Sequence, residues 1–242
     1  MLDAHIHIDF YDDVKAVIQE LSEYKVTCVF VTHVPELYAK YASDSFLKKH
    51  PNIHLALGYH PSVIGEYELD KNLFCDLIKN ASFIGEVGLD YMTAKSDTTR
   101  ESQRRAFDYI CKMASGKIFT VHSRWAESDT LSILKRNDVK NAIFHWYTGN
   151  EKTIDDIVDC GYYFSINPAM LKTTKGRKCI DKIPVSRMLV ESDGPFVKYD
   201  GKIIRPKDLG KIYKELGEYL GNADIEDIVS RNFVQICSNS IL

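Results

Sequence analysis

Six side chains spaced along this 242-residue chain are of types that bind metal ions: His5, His7, Glu86, His122, His145 and Asp193. His5 and His7 flank a single isoleucine in DAHIHID, near the amino end. Side chains of a β-strand alternate with period two, so both imidazoles share one face. A lone histidine at a strand end is more often a surface or satisfied core residue. That reading weakens when six donor positions must share it. Imidazole with carboxylate suits zinc, manganese or iron, and with fewer nitrogens magnesium. Six donors exceed what one catalytic ion with open positions takes. Two ions about 3.5–4 Å apart with a shared carboxylate would use them all. Glu86, with two oxygens, is the natural bridge. The expectation is two divalent ions (Mg2+, Mn2+ or Zn2+) and hydrolysis by an activated water. No serine or cysteine sits in a recognisable nucleophile elbow.

These donors need elements that bring distant segments to one place. Short apolar runs alternate with longer amphipathic ones along the whole chain. Strands are expected at 2–8, 26–33, 53–59, 82–89, 117–122, 141–146, 162–167 and 187–192. Helices are expected at 12–24, up to 49, 69–79, 100–115, 127–136, 151–159, 173–182, 207–220 and 225–238. Strand–helix alternation implies βαβ units and a parallel sheet. Eight units fit a closed (β/α)8 TIM barrel of α/β class, with a doubly wound open sheet as the alternative. The polar residues favour the barrel. They fall at the carboxyl ends of many strands, among them His33, Tyr59, His60 and Asn167 besides the six. A barrel converges those ends on one mouth, whereas an open sheet spreads them along an edge.

The length suits a single barrel domain over 1–242. With 45% hydrophobic and 27% charged residues the composition is that of an ordinary globular protein. A net charge of −3 argues against general adhesion to nucleic acid or anionic membrane, so any anion must meet a local basic patch. Six cysteines lie far apart with no C-x-x-C pair, which reads as reduced thiols rather than a thiolate zinc site. No secretory signal and no membrane-length apolar run is read, so a cytoplasmic protein without membrane partners is expected.

The motifs that carry the donors run nearly end to end: DAHIHID at 3–9, GYHP at 58–61, GEVGLDY at 85–91, SQRRAF at 102–107, VHSR at 121–124, HWYTG at 145–149, ESDGPF at 191–196 and RNF at 231–233. In that order they resemble the TatD-type metal-dependent deoxyribonuclease family, within the amidohydrolase-like barrels. The resemblance implies that His5 and His7 hold one ion with Glu86 and Asp193. It implies that Glu86 also touches a second ion, held with His122 and His145. Asp193 would contact the attacking water, and His60 would lie near the substrate phosphate. Arg124, next but one to a ligand, could pair a phosphate oxygen bidentately. Asp90 reads equally as a holder of a ligand and as a structural cap.

Some residues depart from the family pattern. Trp146, Tyr147 and Thr148 follow His145 in place of the usual Cys-Phe-Ser. Trp146 reads either as core or as a base-stacking surface. His33 lies outside the pattern and reads as an extra residue at the mouth or, more readily, as a hydrogen-bonded bystander. The segment FVKYDGKIIRPKDL lacks the family's usual asparagine. Lys172, Lys175, Arg177 and Lys178 after strand seven, and Lys198, Lys202, Arg205 and Lys207 after strand eight, would rim the mouth of a barrel. A basic rim suits a nucleic-acid backbone, with a solvated charged surface as the bland reading. The expected activity is 3′-end exonuclease action on single-stranded DNA or RNA. The alternatives are an ester or amide hydrolase, such as an aminoacyl-tRNA deacylase, and a partner-dependent binding subunit.

Overall fold

A computed structural model describes residues 1–239, so the last three positions of the expected 1–242 unit lie outside the described residues. The elements run β1 (Leu2–Ile6), α1 (Val14–Glu23), β2 (Thr27–Val31), α2 (Pro35–Ser43), β3 (Ile53–Leu57), α3 (Lys71–Leu77), β4 (Phe83–Asp90) and α4 (Asp97–Ala114). They continue with β5 (Ile118–Arg124), α5 (Glu127–Arg136), β6 (Asn141–His145), α6 (Glu151–Asp159), β7 (Tyr163–Ile166), α7 (Pro168–Leu171), α8 (Thr174–Lys182) and β8 (Met188–Val190). A small hairpin of β9 (Lys198–Tyr199) and β10 (Lys202–Ile203) precedes α9 (Leu209–Leu220) and α10 (Ile225–Ser238). The first eight strands form one parallel sheet in sequence order, which is the TIM-barrel arrangement. Among the described residues no helix is long and apolar enough to cross a membrane.

The barrel's seam between β8 and β1 is made by chain beyond the regular strands. The amide of Asp193 donates to the His5 carbonyl at 3.0 Å, and that of His7 to the Gly194 carbonyl at 2.9 Å. Asp3 Oδ1 accepts the Ser192 amide at 2.9 Å. The seam therefore sets His5, His7 and Asp193 beside one another directly through the backbone.

Strands buried on both faces show no wet face, and all five residues of β1 are buried. The period of two instead separates barrel interior from helix layer. Alternate residues Asp3, His5 and His7 share one face, while Leu2, Ala4 and Ile6 share the other and belong to the apolar core. The helices present apolar stripes to those outer faces, such as Val17, Ile18 and Leu21 of α1.

Element ends differ from expectation where side chains cap them. The second helix stops at Ser43 because Asp44 Oδ1 accepts the amides of Phe46 and Leu47, at 2.7 and 3.0 Å. The hairpin at 198–203 was not anticipated, although its Asp200-Gly201 pair, both at positive φ, is a turn signature. Gly58 follows β3, where β2 and β4 cross closely. A Cβ there would lie 1.6 Å from the Thr32 carbonyl oxygen, which accepts the Glu86 amide. Because backbone atoms cannot rotate away, Gly58→Ala should destabilise the fold by about 3 kcal/mol, the upper end of ordinary overpacking. A urea melt with an unchanged midpoint would show that this crossing is looser than described.

Candidate metal centre

The donors converge at the carboxyl ends of the strands, as the barrel expectation requires. Glu86 is their hub. Its Oε2 lies 3.4 Å from His5 Nε2 and 3.3 Å from His7 Nε2. Its Oε1 lies 2.7 Å from His122 Nδ1, 3.1 Å from His145 Nε2 and 3.4 Å from His60 Nε2. Asp193 Oδ1 stands 3.4 Å from His7 Nε2 and 3.9 Å from His5 Nε2. One carboxylate thus divides its oxygens between two sets of imidazoles.

The donor set fits divalent cations. The Nε2 atoms of His5 and His7 face each other at 3.2 Å, and both face carboxylate oxygens. Lone pairs aimed at a common point repel unless a cation or a proton lies among them. Protons take that part in the metal-free state. Burial opposes charge on His7, but hydrogen bonds to Asp193 and Glu86 outweigh it and push its pKa up to about 9. Burial and the neighbouring His145 instead drop His5 to about 3, and the two rings stack at 4.0 Å. Burial would raise Glu86, yet the surrounding imidazoles of His60, His145 and His5 and the hydrogen bond to His122 hold it well below the usual carboxylate range.

The other ring nitrogens show which imidazoles could be ligands. His145 Nδ1 lies 3.3 Å from Glu191 Oε1, and His5 Nδ1 lies 2.8 Å from Thr120 Oγ1. A proton on each Nδ1 leaves the Nε2 lone pair directed at the centre. His122 Nε2 lies 3.2 Å from Asp90 Oδ2, while Asp90 Oδ1 accepts the amides of Met92 and Thr93, both at 3.0 Å. Asp90 is therefore both holder and cap. His60 differs. Its Nδ1 accepts the Ser62 amide at 3.1 Å, so its neutral ring carries the proton on Nε2. Burial favours that neutral ring by lowering its pKa. His60 can donate towards Glu86 or an anion and cannot, in that tautomer, ligate through Nε2.

Glu191 escaped the sequence reading. It is fully buried, accepts from the Ser165 hydroxyl and from Asn167 Nδ2 at 3.4 Å, and pairs with His145. The sign was present in the sequence: Glu191 stands two residues before Asp193 and shares its face, as Thr120 does with His122. Glu191→Gln keeps the shape and removes the charge behind His145. Metal affinity should fall about tenfold, the lower end for such supporting residues. Equal affinity in a chelator competition would show that Glu191 does not orient this ring.

The donors open into a cavity of about 720 Å³. His33, Arg124, Trp125, Trp146 and Lys175 line it. His33 is partly buried, lines the cavity and packs its ring on His7 and His60, which fits the reading of an extra mouth residue; its Nδ1 has no hydrogen-bond partner, which corrects the expectation of a hydrogen-bonded bystander. Trp146 both faces the cavity and packs on the core, joining the two readings offered for it. The basic rim is thinner than expected. Arg177 does not line the cavity, and its Nε donates to the Leu171 carbonyl at 2.6 Å. Lys172 pairs with Glu215 at 3.0 Å, and Arg205 Nη2 with Glu20 at 2.9 Å. These cations neutralise the protein's own anions and carbonyls instead of facing the mouth.

A parallel eight-stranded barrel with this donor cluster at its carboxyl face defines a metal-dependent hydrolase. Residues 2–238 match the family model described as TatD related DNase. The chain belongs to that family. An uncharacterized metal-dependent hydrolase of Buchnera aphidicola is 27% identical over 229 residues, covering 85% of this chain and 86% of the relative. One from Methanocaldococcus jannaschii is 26% identical over 243 residues, covering 96% and 94%. The crystal structure of a TatD homolog from Escherichia coli superposes with a TM-score of 0.82 at 21% identity, covering 98% of this chain and 97% of that one. At that identity the likeness speaks for the fold.

Proposed function

We propose that this chain hydrolyses phosphodiesters with two divalent ions, trimming single-stranded DNA or RNA from the 3′ end. The observation that carries the reading is the division of Glu86 between two imidazole sets, 3.3–3.4 Å from Oε2 and 2.7–3.4 Å from Oε1. His5 and His7, with Glu86 and Asp193, would hold one ion. Glu86, His122 and His145 would hold the other. Bound divalent ions supply charge that offsets the phosphoryl oxygens and makes a water acidic enough to attack.

The protein's own groups do the rest. Burial alone would raise Asp193, but its hydrogen bond to His7 and the neighbouring imidazoles of His145 and His5 keep it below the usual range. It is therefore ionised and able to take the proton of the attacking water. His60 donates a hydrogen bond from its Nε2–H to a phosphoryl oxygen. Arg124, exposed at the end of β5 and lining the cavity, grips a phosphate through two parallel N–H groups. The DNase description of the family supports a nucleic-acid substrate. Free thiols at Cys28, Cys75, Cys111, Cys160 and Cys179 support a reducing, cytosolic setting, with the whole chain acting as one unit.

Lys175 is exposed and lines the cavity, whereas Lys178 is exposed and does not. Lys175→Ala should therefore flatten the salt dependence of single-strand binding by about 0.7 in log–log slope, and Lys178→Ala should not. Equal slopes for both variants would make Lys175 a solvated surface charge. The function itself is tested by metal-supplemented turnover of end-labelled single-stranded DNA, RNA and aminoacyl-tRNA side by side. Loss of 3′-terminal nucleotides supports the reading. Deacylation alone, with intact oligonucleotides, overturns it.

A further inference from the structure

We propose that Trp125 and Trp146 form a stacking platform for unpaired nucleobases at the mouth of the metal centre. This rests on the nucleic-acid reading and names what the site recognises beyond phosphate. The chain has two tryptophans, and both line the one cavity that holds Glu86, His122 and His145. They leave neighbouring strands: Trp125 follows Arg124 at the end of β5, and Trp146 follows His145 at the end of β6. Those strands are paired in register, Val121 opposite Phe144, and adjacent strands lie about 4.8 Å apart. The two indoles therefore rise from adjoining positions on one sector of the rim.

Their burial does not explain them as core. Trp125 is 65% exposed, the most exposed of the large hydrophobic side chains among the described residues. It takes no place in the apolar core cluster. Trp146 packs one part of its ring on the core and keeps another on the cavity. Both backbones are left-handed, with φ of 59° and 39°, a region where bulky residues are uncommon. Aromatic bulk in a strained conformation, open to water beside metal donors, points to a function at the site.

The chemistry that fits is a base's π-face. Arg124 precedes Trp125 and lines the same cavity, so a phosphate grip and an aromatic plane are adjacent in the chain. Indole stacking accepts every base, so it would confer a requirement for an unpaired base without sequence preference. A paired base has its faces covered by its neighbours and cannot use the platform. The ligand class is therefore a frayed or single-stranded end.

Because both tryptophans stand at the mouth, the protein's whole tryptophan emission reports on this site. The test titrates the full chain with a phosphorothioate oligodeoxynucleotide, and with one of equal length carrying abasic residues at its 3′ end. Expected is quenching by the base-bearing strand and binding on the order of tenfold tighter than the abasic strand. Trp125→Ala should abolish that preference, and Trp125→Phe should restore most of it. Trp146→Ala is a weaker test because Trp146 also packs on the core. Equal affinity for the two strands, or a preference that survives Trp125→Ala, overturns the platform. Cleavage is scored separately. Base-selective binding without cleavage of any nucleic acid would keep the platform and overturn the nuclease reading. Cleavage with no base selectivity would do the reverse.

Discussion

Glu86→Gln should lower turnover by at least about a hundredfold, beyond the upper end of what loss of a ligand's supporting partner costs. Among the described residues Glu86 is the one carboxylate whose two oxygens face different imidazole sets. An amide keeps a single acceptor oxygen and turns N–H donors towards the other set. It also removes the negative charge that would sit between two cations. His33→Ala should have a far smaller effect. The His33 side chain meets His7 and His60 through ring contacts, with centroids 5.0 and 4.8 Å away, and its carbonyl accepts the His60 amide at 2.9 Å, a backbone bond that alanine keeps. Parallel kcat and metal-affinity measurements on the two variants decide the matter. Equal losses would mean that the hub of the site has been misplaced.

Asp193→Asn should reduce kcat by about 10²- to 10⁴-fold, the range for loss of a positioned general base. A second readout follows from the same carboxylate. Asp193 Oδ1 lies 3.4 Å from His7 Nε2 and helps push that imidazole up to about 9. An anion nearby favours the protonated ring, so removing it must lower the His7 pKa. NMR titration of the metal-free variant should show His7 losing its proton at a lower pH than in the parent. An unmoved His7 together with full activity would separate Asp193 from the centre.

The donor side chains could be read before any coordinates because each stands at the end of an apolar run. Period-two alternation then places His5 with His7. The same rule reaches Thr120 and Glu191, each two residues from a recognised donor; threonine does not announce metal chemistry by type, and Glu191 stands two residues before Asp193, which already filled the carboxylate's part. Trp125 was likewise in view, directly after Arg124 in the chain. A tryptophan in a sequence reads as core unless its exposure is known. The β9–β10 hairpin had its turn signature at Asp200-Gly201, but two-residue strands carry too little alternation to register.

Charge was the property that composition and position described least well. Lys172, Arg177 and Arg205 all follow late strands, as a basic rim would require. Their partners are Glu215, the Leu171 carbonyl and Glu20. Two of these partners are far away in sequence, and pair energies fall with spatial distance, which sequence separation does not report.

The amino-acid sequence by itself determined the barrel and the inventory of candidate metal donors. Both follow from short-range rules: strand–helix alternation, side-chain period and residue type. Only the tertiary structure decided how those donors divide. It set Glu86 Oε2 against His5 and His7, and Oε1 against His122 and His145. It made His60 a donor through the Ser62 amide and placed Glu191 behind His145. Such choices depend on where single oxygen and nitrogen atoms from six different strand ends meet, within a few tenths of an ångström. Closure of the barrel determines that, and no local pattern does.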